Sequence, residues 1–194
     1  YNTIIRQDWG EPNWLLAIGA NGTELDFGVE NTSGTNFSLN HTITPSIFEN
    51  SWHNIAVTYD GTNQKLYIDG DSVAVSSATG NVNYTSNAKL ALGTHPYDQA
   101  SISEESFNGL IDEVSIWSVA LSEEQIQSYM TMQPTGNETG LAGYWRFNAG
   151  EGETLYDHSG NQNHGTINGA TWSEDLPQPN NTHSLSFDGE DDYA

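Results

Sequence analysis

Apolar residues along this chain recur at every second position. Leu25, Phe27 and Val29 alternate with polar neighbours, and so do Ile55, Val57 and Tyr59. The same holds for Val73 and Val75, Leu90 and Leu92, Val114 and Ile116, Trp145 and Phe147, and Leu185 and Phe187. A period of two is that of an extended strand with one face buried and the other in water. Turn dipeptides separate the runs: Ser33-Gly34, Asp60-Gly61, Asp69-Gly70 and Ser159-Gly160. Asp-Gly suits tight hairpins because both positions tolerate positive φ. The stretch from Trp52 to Val75 therefore predicts a three-strand meander with two tight turns. One short helix is predicted over about Ser122 to Met130. Ser122 and Gln125 make a capping box, Glu123 and Glu124 suit the positive end of the helix dipole, and Ile126, Tyr129 and Met130 form an apolar face. Gln133-Pro134-Thr135-Gly136 then breaks the pattern. Many short strands between frequent turns predict an all-β fold, an antiparallel two-sheet sandwich with one short helix.

Composition narrows the partners. The 194 residues carry 26 acids against 4 bases, Arg6, Lys65, Lys89 and Arg146, for a formal charge of −22. The surface is filled with Asn, Ser and Thr instead. Such a surface repels nucleic acid, whose binding depends on Lys and Arg at phosphates, and it repels anionic membranes too. No apolar run approaches the ~18 residues that span a bilayer. No leader or transit segment is legible from Tyr1 onward, so any targeting signal is expected outside these residues. With no cysteine there is no disulfide or thiolate chemistry, which suits either redox compartment. Asn-x-Ser/Thr acceptors at Asn21, Asn31, Asn36, Asn40, Asn83, Asn137 and Asn180 exceed what composition alone supplies, and they favour an extracellular, cell-surface setting. Polar loops matching a short pattern are the plainer account of them.

Several segments in order resemble the laminin-G-like, concanavalin A-like jelly-roll family of secreted and cell-surface multidomain proteins. They are Trp52 to Gly61 with Lys65 to Gly70, Phe107 to Trp117 with Ala120-Leu121-Ser122, Gly140 to Phe147, Tyr156 to Gly165, and Leu185 to Tyr193. The resemblance implies that the sandwich is a jelly roll. It also implies an unusual order. In the family, the pieces resembling 140–194 open a domain and those resembling 1–133 close it; here the closing pieces come first. Residues 1–133 are thus expected to be the C-terminal part of a jelly roll, 134–139 a linker, and 140–194 the N-terminal part of one. The family's central apolar strand between the two parts has no counterpart here. The chain is then one window of a tandem array, a permuted domain completed by its own 140–194, or a unit that donates those residues to the next copy.

The resemblance also implies structural Ca²⁺ near Asp112, with Asp188 and the loop residues Asp157, Asn161 and Asn163 as further oxygen ligands. Carboxylates, amides and carbonyls suit a hard cation, although Asx-turns account for the same loops. Catalysis is not expected. The fold hosts glucanases, but their Glu-x-Asp-x-x-Glu pattern is absent, and alternation puts the adjacent Asp112 and Glu113 on opposite faces. There is no Gly-x-Ser-x-Gly elbow, and the six histidines show no zinc spacing. The expected function is a non-catalytic extracellular structural or adhesive unit, a repeat or polymerising subunit of a cell-surface filament, whose partners are neighbouring repeats or copies of itself. The alternative is a carbohydrate-binding module, with Trp9, Trp14 and Tyr97 in loop-like surroundings able to stack on sugars.

Overall fold

The computed structural model describes residues 2–8, 12–19, 22–48, 51–84, 88–94, 106–177 and 181–194. Its first layer is a five-stranded antiparallel sheet of β1 (Asn2–Asp8), β2 (Pro12–Ile18), β3 (Glu24–Glu30), β4 (Asn36–Thr42) and β8 (Lys89–Leu92). Their order is β4-β3-β2-β1-β8. The alternating Leu25, Phe27 and Val29 of β3 are all buried.

The second layer comes in separate blocks. The predicted meander is present as β5 (Ile55–Tyr59), β6 (Asn63–Ile68) and β7 (Asp71–Ser77). Asp69 at φ 52° and Gly70 at φ 84° make the tight β6–β7 turn that Asp-Gly favours. A side chain on Gly70 would lie 2.8 Å from Gln127 and Met130, because this turn rests on a helix. That helix, α2 (Glu123–Tyr129), carries the expected capping box between Ser122 and Gln125. A four-residue turn, α1 (Pro45–Phe48), joins it among the described residues.

The other blocks draw on both ends of the sequence. Strand β9 (Asn108–Ile111) pairs with β15 (Ser184–Asp188), which pairs with β14 (Thr171–Ser173). Strand β10 (Val114–Trp117) pairs with β11 (Leu141–Trp145), and the two-residue β12 (Thr154–Leu155) pairs with β13 (Gly165–Thr166). Within one chain, then, strands from 141–188 lie against strands from 108–117. Leu185 and Phe187 are buried against Ile111, Trp145, Ile5 and Leu92, which makes this side a dry core between the layers. Under the meander, Leu66 of β6 packs with Leu25, Leu39 and Ile43. Phe147 falls just past β11, in a left-handed conformation at φ 54°, and is buried even so.

Candidate functional site

The meander and the β10–β11 block leave an opening between them. Among the described residues, β5 pairs with β6 on one side only, and β10 pairs with β11 on one side only. Both line a single cavity of about 1850 Å³. Ile4, Leu16 and Phe27 of the first sheet form its floor, with Ile55 and Val57 on one wall and Val114 and Ile116 on the other. Every residue of β5 is half-buried, whereas Leu66 and Tyr67 in the adjacent β6 are sealed. Finished interiors hold few voids larger than a water molecule, and small-molecule pockets run to ~1,000 Å³. This opening is therefore of a size for polypeptide. Among the described residues, the charged ones that line it are Asp60, Asp112, Glu113 and Asp175; none of the four bases does.

At the β10 end lies a polar cluster. Asp112 and Glu113 occupy the bend between β9 and β10, and Glu113 adopts φ 53°. That left-handed residue breaks the strand alternation, so the expectation of opposite faces fails. Instead Asn181 joins the two acids. Its amide donates to Asp112 Oδ2, and its Oδ1 accepts from Gln133 Nε2 (2.8 Å), which also donates to Glu113 Oε1 (2.8 Å). The Tyr144 hydroxyl donates to Glu113 Oε2, and Arg146 donates to Gln133 Oε1 at 2.6 Å. Burial pushes the Asp112 carboxyl up to about 7, against the lowering pull of Asn181. Burial likewise raises Glu113, and it raises Tyr144, with the Glu113 bond adding to it. Arg146 Nε is buried without a partner among the described residues. Gln133, Tyr144, Arg146 and Asn181 escaped the sequence reading. Only Arg146 carried a signal, as one of four bases inside an apolar segment.

The five residues expected to hold calcium lie in three places. The buried Asp157 carboxylate accepts from Tyr144 N, Ser159 N, Ser159 Oγ and Asn163 N at 2.8–2.9 Å. Burial works against its ionisation, but the Ser159 and Tyr144 N–H groups outweigh that and lower its pKa. Asn161 and Asn163 point their NH₂ groups at the carbonyls of Leu141 and Ala142. These bonds fasten 157–163 to β11. Asp188 lies across from Asn108, four residues along β9 from Asp112, or roughly 13 Å at 3.3 Å per residue. It joins Asp191 and Asp192 instead, with carboxylate oxygens within 4.8 Å of one another. Burial raises the Asp192 pKa, and the charges of Asp188 and Asp191 add to that. This all-oxygen set suits a hard cation chemically.

Of the acceptor asparagines, Asn31 is buried. Its Nδ2 donates to Thr79 O at 2.8 Å and its Oδ1 accepts from Ser33 N and Thr35 N, so it staples a loop and offers no face to a glycan. Asn36, Asn40 and Asn137 are exposed, and Asn83 is half-buried beside Glu30. Asn21 and Asn180 lie outside the described residues, as do Trp9 and Tyr97. Trp14 is not in a loop: it sits in β2 opposite Val29, with its Nε1 donating to Gln7 Oε1 at 2.7 Å. No helix among the described residues is long and apolar enough to cross a membrane.

Residues 1–127 match the laminin-G-type family described as the concanavalin A-like lectin/glucanases superfamily. No curated protein matches the chain. Among solved structures, the chain is similar to a candidate carbohydrate binding protein from Bacteroides ovatus ATCC 8483, at 27% identity and a TM-score of 0.65. The likeness covers 85% of this chain and 47% of that one, so the chain spans about half the length of this relative.

Proposed function

The chain belongs to the concanavalin A-like lectin/glucanases superfamily, and from that premise we propose that it is a non-catalytic, extracellular structural or adhesive unit of a larger surface assembly. The observation that carries this reading is the cavity of about 1850 Å³ between β5 and β10. A sandwich with two unpaired edges facing one apolar space gains stability from more polypeptide, as a repeat or polymerising subunit would from its neighbours. The non-catalytic part is supported by Asp112 and Glu113, whose oxygens are occupied by Asn181, Gln133 and Tyr144. Residues 1–133 and 140–194 would act together as one unit, with strand exchange between copies as the variant of this scheme. Ca²⁺ would be held by Asp188, Asp191 and Asp192 at the end of β15, where it would relieve the mutual repulsion of three carboxylates.

Light scattering across the micromolar range tests assembly. Mass growing with concentration is the expected result, and a strict monomer at every concentration overturns polymerisation. For calcium, a trypsin time course is compared with and without EDTA, using the few cleavage sites that four bases provide. Equal sensitivity removes the ion from the scheme.

Glycan recognition is the second reading, favoured by the likeness, at 27% identity, to a candidate carbohydrate binding protein. Binding on a glycan array that Trp9→Ala abolishes would support it.

A further inference from the structure

We propose that the opening between β5 and β10 accepts a single extended peptide strand with alternating apolar side chains and basic flanks. This rests on the reading that the unit is completed by additional polypeptide, and it names the chemistry of what enters.

The backbone sets the first requirement. In the β5–β6 ladder, Asp69 N donates to Asn54 O and Asp60 N donates to Asn63 O. An antiparallel strand turns alternate residues toward its partner, so Asn54, Ala56, Thr58 and Asp60 face β6. Ile55, Val57 and Tyr59 therefore turn their N–H and C=O groups to the free edge. On the other wall, Tyr144 directs its N–H to Asp157 Oδ1 and its C=O to the His158 N–H. Its partner Ser115 in turn directs its own peptide groups away from β11. The outward peptide groups of Ile55, Val57 and Tyr59 on β5 and of Ser115 on β10 thus border one space, and an inserted strand pairs with them.

Side chains set the second requirement. Alternate residues of an inserted strand would face Ile4, Leu16 and Phe27 on the floor, so every second position is apolar. Charge sets the third. Asp60 and Asp175 stand at the cavity with no base among its lining residues, on a chain of net charge −22. Lysine or arginine at the ends of the segment complements that field.

The probe is a fluorescein-labelled synthetic peptide about as long as β5, five residues, alternating Val and Thr between terminal lysines, added to the whole chain. Saturable binding that weakens with salt is expected, together with slowed hydrogen exchange at Ile55, Val57 and Tyr59. N-methylating the peptide's alternate amides removes its hydrogen bonds without touching the protein, and should weaken binding roughly tenfold or more. Val57→Lys on the wall should also abolish it, while Val75→Lys, 61% exposed on β7, should not. Equal binding of the N-methylated peptide, or no saturable binding, overturns the proposal. Tighter binding of a glutamate-flanked peptide overturns the basic chemistry. A monomeric chain that still captures the lysine peptide would sink polymerisation alone, so the two readings fail separately.

Discussion

Two parts of this molecule carry the same hydrophobic pattern and meet different fates. In β15, Leu185 and Phe187 are 0% and 2% exposed, closed between β9, β14 and the first sheet. In β5, Ile55 and Val57 occupy equivalent alternating positions beside the same sheet and stay half-buried, because β5 has a neighbour on one side only. Alternation specifies which face of a strand is apolar. Whether that face is covered depends on a strand from elsewhere. The open part presents bare peptide edges, and the polar cluster of Asp112 and Glu113 stands at its β10 end.

The contrast is broken most severely at Phe187. Phe187→Ala should cost ~3–5 kcal/mol in urea unfolding, as expected for a large core truncation. Val57→Ala should cost only about 1 kcal/mol, since the side chain is half in water already. Similar losses at the two positions would mean that the opening is closed in solution.

The polar cluster sharpens the comparison through pH. The folded chain holds the Asp112 proton up to about pH 7, above an ordinary carboxyl value of 3.8 in the unfolded chain. The folded state therefore binds this proton more tightly, so its contribution is complete below about pH 4 and is lost as pH rises to about 7. Asp157, with a lowered pKa, acts in the opposite sense and loses its contribution on acidification. Asp112→Asn should accordingly gain stability relative to the parent chain between pH 4 and 7, measured by denaturant midpoints. A constant difference across that window would remove Asp112 as a titrating group.

Helix α2 gives a smaller effect. Ser122→Ala removes the side-chain half of the capping box and should cost ~1 kcal/mol. The smallest belongs to Val75→Thr on the exposed face of β7, within about 0.5 kcal/mol.

Strands β3, β5, β7, β8, β10 and β15 were legible because one apolar residue in two is an unambiguous signal. Strands β1 and β2 were not. Ile4-Ile5 and Trp14-Leu15-Leu16 place apolar residues side by side, which blurs the period. Strand β4 was hidden by its polar residues, with Phe37 and Leu39 alone alternating. The site was less legible still. Asp112 and Glu113 were expected on opposite faces because a regular strand puts neighbours there, and one residue at positive φ undid it. Asp157, Asn161 and Asn163 have the composition of a cation loop, and what the sequence did not show is that their bonds to the β11 backbone fasten that loop in place.

Alternation, Asp-Gly turns and a capping box are local, and each depends on residues within a few positions of one another. For that reason the chain alone determined the all-β character, the meander and the helix. Edge pairing is not local. β15 reached β9 across more than seventy intervening residues, Asn181 reached Asp112, and β5 reached nothing on its outer side among the described residues. Only the assembled layers decided which edges were satisfied, because a strand's pattern encodes its faces while its edges are made of peptide groups that every sequence shares.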